Sequence, residues 1–470
     1  MIDDGLTDRL LTDEGPATPL TLMGRNDLTA WLADQPVAVR AWVEAAGFDA
    51  APASVCRLPG ADGDVARALV GTGDGPPDTW TLGDAARHLK HGIWRLDPEP
   101  DPEAADVLAL GWVLGGYAYN RFKSETDDAT AALVWPAAAD RTAVTRAARG
   151  TVLVRDLINT PASHLGPAGL AEAAGSLAQR HGAELTTIVG DDLPAAGWPA
   201  VHAVGRGAGR APRLIDLRWG DPEHPRVVLA GKGVVFDTGG LDIKPAEGMK
   251  LMKKDMGGAA HTLALAEMVM DARLPVRLRL LVPAVENAVG ADAMRPGDVV
   301  ATRAGTTVEI GHTDAEGRVV LADALAAAAE EDPALVVDCA TLTGAARVAL
   351  GPEVPAFFTP DDGLARALGA ASEAVGDPVW RLPLWRAYGD AVTGRVADVT
   401  NAPEMPQGHG GAITAALFLE RFAGRDRPWI HLDQMAWMPR ARPGRPEGGE
   451  AQGLRALFRF LRDRFGGEAT

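Results

Sequence analysis

Apolar positions recur at helical spacing over 26–47, 82–89, 103–121, 141–158, 167–181, 257–270, 318–330, 363–375 and 413–422, which predicts helices there. Pro36 divides the first stretch into two pieces, with Asn26 or Asp27 as its cap. Short apolar runs lie between these segments: 54–58, 66–71, 93–96, 131–135, 185–189, 214–217, 226–230, 276–282, 306–310, 334–338 and 429–432. Bounded by Gly, Pro or Asp, they read as strands. Most are apolar on both faces and alternate with helices, the pattern of a mostly parallel sheet covered on both sides. The predicted fold class is α/β. A small N-terminal α/β domain takes 1–140 and a larger C-terminal α/β domain takes 141–470, with helix 141–158 as connector. In such sheets, function gathers in loops at the strand C-termini.

Composition narrows the function classes. The formal net charge is −17, which argues against a nucleic-acid or anionic-membrane surface. No apolar run approaches a spanning length of ~20 residues. The acidic, polar N-terminus has the wrong composition for a signal peptide, so a cytoplasmic location is expected. Cys56 and Cys339 stand far apart without metal-site spacing and read as buried small hydrophobes. The six tryptophans of the first domain read as core and interface residues.

The candidate chemistry sits in two loops. The run GKGVVFDTGGLDIKPAEGMKLMKKD, 231–255, holds five of the chain's seven lysines: Lys232, Lys244, Lys250, Lys253 and Lys254. A chain that otherwise uses Arg keeps Lys where an ammonium or a neutral amine does something a guanidinium cannot. The same run carries Asp237 and Asp255. The second loop, HTDAEGRVVLADAL at 312–325, adds Asp314, Glu316 and Arg318. Four acids crowded into adjacent buried loops would repel one another unless a cation is present. An oxygen-rich set without Cys or His suits Mn²⁺ or Mg²⁺ and can also hold Zn²⁺, and four carboxylates can hold two ions. The competing reading makes Asp314 and Glu316 caps of the helix that follows them. The Gly-Lys-Gly at 231–233 lacks P-loop spacing, so nucleotide binding is poorly supported.

These two stretches closely resemble the leucyl (cytosol) aminopeptidase family of dinuclear metallo-exopeptidases. The runs RDLINTPA, PAVENAVGADAMRPGDVV, ATLTGAA, WRLPLW and GGAITAALFLERF are similar to that family too, in the expected order, and the likeness extends from Arg155 to about Leu461. The resemblance implies a metal-dependent aminopeptidase with two divalent ions per subunit, Mn or Zn, that releases leucine-like N-terminal residues from peptides. It implies Lys232, Asp237, Asp255, Asp314 and Glu316 as metal ligands, with Lys232 neutral. Lys244 would stabilise the oxyanion, and Arg318 would hold a bicarbonate acting as general base. Met252, Thr341, Leu342 and Gly344 would line the substrate. It also implies a homohexamer. His312 departs from the family's usual Asn, which bears on substrate preference. Lys250, Lys253 and Lys254 receive no role and are expected to be solvated or to lie between subunits.

Three rival classes remain on the sequence. A phosphoesterase would be expected to add histidines. A DNA-binding role sits poorly with the net charge. A catalytically dead scaffold sits poorly with the complete set of charged residues.

Overall fold

The computed structural model describes residues 5–13, 15–124, 131–403, 405 and 408–467. The chain divides into two compact units. One runs to Val152 and includes Met438–Glu447. The other comprises Leu153–Trp437 and the chain from Gly448. The division falls inside the helix Arg141–Asn159.

The first unit is built on a six-stranded sheet ordered Leu11–Thr12, Ala132–Val134, Ile93–Leu96, Thr18–Gly24, Val65–Gly73, Val55–Pro59. Every pairing is parallel except the last. The strand Thr18–Gly24 is absent from the sequence prediction. Its alternating Thr and Leu, bracketed by Pro and Gly, give too short an apolar run. The helices Arg25–Ala33 and Val37–Ala45 part at Pro36 as expected, but the first is preceded by Gly24 and has no side-chain cap. The helix Pro102–Gly116 is capped by Asp101 and ends about five residues before the predicted limit, at Gly115-Gly116. The predicted helix 82–89 shrinks to Ala85–Leu89. Trp112 and Trp94 are buried in this core, while Trp42 is exposed.

The second unit carries a nine-stranded mixed sheet. Its order is Trp380–Arg381, Ala356–Phe358, Trp429–Asp433, Leu335–Ala340, Arg226–Gly231, Arg277–Asn287, Arg213–Trp219, Glu184–Val189. A further strand, Gly233–Asp237, pairs with the far half of Arg277–Asn287. The four central strands of this path are parallel. The strands that flank these four, Ala356–Phe358 and Arg213–Trp219, join antiparallel. Residues 233–237, predicted as part of a loop, thus form a strand of their own. The strand predicted at 306–310 belongs instead to a separate three-stranded sheet with Val299–Ala301 and Val399–Thr400.

The helices Gly257–Asp271 and Glu316–Ala329 are buried almost all round, as their apolar sequences require. Two glycines let the first helix press onto the sheet. A Cβ on Gly258 would come within 2.0 Å of the Cys339 carbonyl oxygen, and one on Gly231 within 2.7 Å of Ala259 Cα. The amphipathic helix Leu454–Phe465 completes this unit and was not predicted. Behind the site, Arg155 and Glu450 form an ion pair at 3.1 Å that is fully buried. Both cysteines are buried and free.

Candidate metal centre and active site

The site forms where the parallel strands end. Lys232 follows Arg226–Gly231. Asp237 and Asn287 close their own strands, Thr341 follows Leu335–Ala340, and Asp433 closes Trp429–Asp433. Asp255 arrives from the short 3₁₀ turn Met252–Met256, and Glu316 is the first residue of its helix.

Asp237, Asp255 and Glu316 are all buried, and each offers a carboxylate oxygen within 4.8 Å of the others. Lys232 is buried among them. Its Nζ lies 2.7 Å from Asp255 Oδ2 and 2.9 Å from Glu316 Oε1, and it donates to the Thr341 carbonyl at 3.0 Å. Gly317 makes room for it, since a Cβ there would stand 2.5 Å from Lys232 Cε. Asp237 Oδ1 accepts from Asn287 Nδ2 at 2.7 Å and from the Gly239 amide at 2.9 Å. Gly239 can close that turn because its φ is +88°. Lys244 Nζ lies 2.8 Å from Asp237 Oδ2 and also pairs with Asp314. Asp314, which is partly exposed, is therefore joined to Asp237 through Lys244.

Burial and charge work against each other here. Burial, reinforced by Asp237, pushes the Glu316 carboxyl up to about 8 and Asp314 up to about 6. Burial also raises Asp255. Asp237 is held below the ordinary carboxylate range, because Lys232 and Lys244 outweigh its burial. Burial alone would lower Lys232, but Asp255, Glu316 and Asp237 outweigh it, so the ammonium is favoured. That is opposite to the neutral amine a ligand role needs. A divalent ion competing for the same carboxylates is what would release that proton.

The donor set fits such an ion. Asp255 Oδ2 and Glu316 Oε1 are enclosed and receive no directed hydrogen bond, although each lies at ion-pair distance from Lys232. Once Lys232 gives up its proton, both oxygens need another cation. The capping alternative fails. Residue 315 precedes the helix, and neither Asp314 nor Glu316 caps it.

The other predicted residues surround this cluster. Arg318 is buried and donates to the Asn401 carbonyl at 2.8 Å, while its Nε has no hydrogen-bond partner among the described residues. Burial lowers its guanidinium to about 10, against the pull of Glu316 and Asp433. Thr341 Oγ1 donates to Asp255 Oδ1 at 2.8 Å. Met252 is buried at the start of its turn. Leu342 and Gly344 lie on the segment leading into the helix Gly344–Leu350. The half-exposed His312 accepts from the Asp314 amide through Nδ1 at 3.1 Å. A side-chain amide oxygen could fill the same place, so His312 keeps the turn's geometry.

Four residues the sequence reading did not single out hold the site in place. Asn287 fixes Asp237. Asp433 accepts from the Leu342 and Thr343 amides, both at 3.0 Å, and from Thr343 Oγ1 at 2.5 Å. Asp242 accepts from the Thr313 amide at 2.7 Å. The buried Asn401 accepts from the Gly311 amide at 2.8 Å and donates to the His312 carbonyl at 2.8 Å. The detectable signal was position for Asn287 and Asp433, the last polar residues of buried strands. Asn401 gave none.

Two of the three unassigned lysines depart from the expectation of solvated charge. Only Lys250 is exposed. Lys253 donates to the Asn159 carbonyl at 2.7 Å and lies over the Trp437 ring. Lys254 is buried, and burial lowers its amine to about 8.

Buried acids at the C-terminal edge of a parallel sheet, with lysines among them, define a metallohydrolase site. The catalytic-domain model of the cytosol aminopeptidase family matches residues 152–458, and the M17 aminopeptidase N-terminal domain matches residues 18–136. The chain belongs to the cytosol aminopeptidase family and is a metal-dependent aminopeptidase, an exopeptidase of the leucyl aminopeptidase type. A probable cytosol aminopeptidase of Geobacter sp. (strain M21) is 42% identical over 376 residues, covering 77% of this chain and 76% of that one. The crystal structure of cytosol aminopeptidase from Coxiella burnetii matches with a TM-score of 0.92 at 47% identity, covering 97% of this chain and 99% of that chain. The bottromycin maturation enzyme BotP in complex with Mn matches with a TM-score of 0.84 at 37% identity, covering 96% of this chain and all of that one. Among the described residues, no helix is long and apolar enough to cross a membrane.

Proposed function

We propose that this enzyme removes leucine-like N-terminal residues from peptides at a two-metal centre held by Lys232, Asp237, Asp255, Asp314 and Glu316. The observation that carries this reading is the convergence of Asp237, Asp255 and Glu316 around Lys232, with two enclosed acceptors left without directed donors. Divalent ions bound there would supply Lewis acidity toward the peptide carbonyl and toward water, and an anchor for a free α-amine.

The chain's own residues supply the rest. Lys244, in contact with Asp237 and Asp314, is kept charged because those acids outweigh its partial burial. It is suited to stabilising the oxyanion that develops on the substrate. Arg318 has an enclosed Nε free to hold a small anion. We assign that anion as bicarbonate, acting as the general base. Thr341, Leu342 and Gly344 line the substrate, and Met252 faces its side chain. Asn287 and Asp433 keep those groups in position. A homohexamer in the cytoplasm is the proposed working form.

The test is hydrolysis of leucine-anilide by chelator-stripped protein, with Mn²⁺, Zn²⁺, Co²⁺ and Mg²⁺ restored separately. Activity should return with metal, and N-acetyl-leucine-anilide should stay intact. Equal rates on the two substrates, or full activity after stripping, would overturn the reading.

A further inference from the structure

We propose that Lys254 and Arg347 form a subsite for a substrate carboxylate at the edge of the acid cluster. This rests on the aminopeptidase reading above and names a class of substrate for the same site.

The lysines of the 231–255 stretch differ sharply in what they touch. Lys232 and Lys244 are paired with acids, Lys253 has a carbonyl and an aromatic ring, and Lys250 is in solvent. Lys254 is 97% buried, yet its Nζ makes no hydrogen bond or ion pair among the described residues. It stands on the turn that also carries Met252 and Asp255. The charges that act on it are those of Asp255, Arg347, Lys232 and Asp433.

Arg347 is the second half of the argument. It lies on the helix Gly344–Leu350, and its Nη2 folds back to 3.4 Å from where a Cβ of Gly344 would stand. The guanidinium is half-buried and likewise has no acceptor among the described residues. The two donor groups sit on the elements at either end of the proposed substrate-lining segment 341–344, since the turn of Lys254 is bonded to Thr341 through Asp255 and Arg347 lies against Gly344. Asp433 makes no direct contact with either among the described residues, its carboxylate accepting instead from Leu342 and Thr343.

Enclosing a lysine side chain whose amine has no protein acceptor is unfavourable, and an apolar side chain would fill the space at lower cost. A carboxylate from the substrate supplies the missing acceptor. Nζ donates to it whether or not the amine is charged, and the guanidinium offers a two-pronged contact. Peptides present such a group in two places, as the side chain of an N-terminal Asp or Glu and as the terminal carboxylate of a dipeptide.

The experiment compares kcat/KM for two substrate pairs on metal-loaded enzyme: Glu-anilide against Leu-anilide, and Leu-Gly against Leu-Gly-amide. Wild-type enzyme should favour the carboxylate in at least one pair, and that pair identifies its source. Lys254→Met should cut the favoured ratio by about ten- to a hundredfold, as for loss of a charged hydrogen bond, and Arg347→Ala should cut it in the same pair. The Arg347 side chain makes no hydrogen bond or ion pair among the described residues, so its variant keeps the test open if Lys254→Met folds poorly. No carboxylate preference in the wild type, or ratios unmoved by both variants, would overturn the subsite and leave the aminopeptidase reading standing. Failure to release any N-terminal residue would overturn both.

Discussion

Lys232 Nζ and Asp255 Oδ2 stand 2.7 Å apart, although one side chain comes from a strand end and the other from the turn before a helix. The pair closes because Gly231 and Gly258 let that helix lie directly on the strand. Lys244 lies twelve residues further on and meets a different pair of acids, Asp237 and Asp314. This division predicts separable roles. Lys232→Ala should lose metal, because it removes the only nitrogen among the proposed ligands. Lys244→Ala should keep both ions and lower kcat by ~10²–10³. Metal content and steady-state kinetics on the same purified variants decide the matter. Metal lost from Lys244→Ala but kept by Lys232→Ala would reverse the assignment.

Asp433 should matter through the segment it holds. Three donors from Leu342 and Thr343 converge on its carboxylate. Asp433→Ala leaves all three without this acceptor, and each charged hydrogen bond is worth about 1.5–3 kcal/mol. The substrate-lining turn should loosen, raising KM for Leu-anilide about tenfold or more while metal content stays at the wild-type level. An unchanged KM would show that the turn is held by other means.

Asp323 makes the corresponding prediction for stability. Buried in the helix Glu316–Ala329, it accepts from the amides of Ala200, Val201 and Arg303. The helix Pro199–Gly205 depends on it, since its own N-cap residue, Trp198, supplies no side-chain bond. Asp323→Ala should cost roughly 2–4 kcal/mol in denaturant unfolding, from several buried donors left unsatisfied. Asp323→Asn should cost less, because its amide oxygen still accepts. Equal losses in the two variants would argue that cavity formation, not lost hydrogen bonding, sets the cost.

What the sequence made legible follows from where its signals are local. Apolar strands alternating with helices sufficed for the α/β class, and acids placed just after such strands fall on one edge of the sheet. The strand Thr18–Gly24 was hidden because neighbours on both sides, not its own pattern, make it central. Gly233–Asp237 was hidden because its pairing with Arg277–Asn287 is some fifty residues distant. Asn401 illustrates the limit for the site. It stabilises the 311–315 loop from about ninety residues away, through bonds that leave no trace in spacing. Lys254 shows the converse. Its composition suggested a solvated charge, and only packing reveals that it is buried.

The last prediction concerns acid stability and His261. This ring is buried in the helix Gly257–Asp271, with Nδ1 donating to the Gly257 carbonyl at 2.7 Å and Nε2 accepting from the Gln452 amide at 2.9 Å. Both nitrogens are used by the neutral form, and a second proton would face an N–H. Burial, opposed only in part by the Gly257 bond and Asp377, lowers its pKa to about 4 from an ordinary 6.5. The folded value is depressed, so below pH 6.5 the unfolded chain takes up a proton that the folded protein refuses. The contribution is therefore complete above about 6.5 and is lost as pH falls toward 4. The slope is about 1.4 kcal/mol per pH unit and the total roughly 3 kcal/mol. His261→Gln should lower stability at pH 7.5 yet flatten this part of the acid limb. Urea unfolding of both proteins at several pH values from 7.5 to 4.5 measures the difference. Curves that stay parallel across the range would mean that His261 contributes nothing to the acid limb.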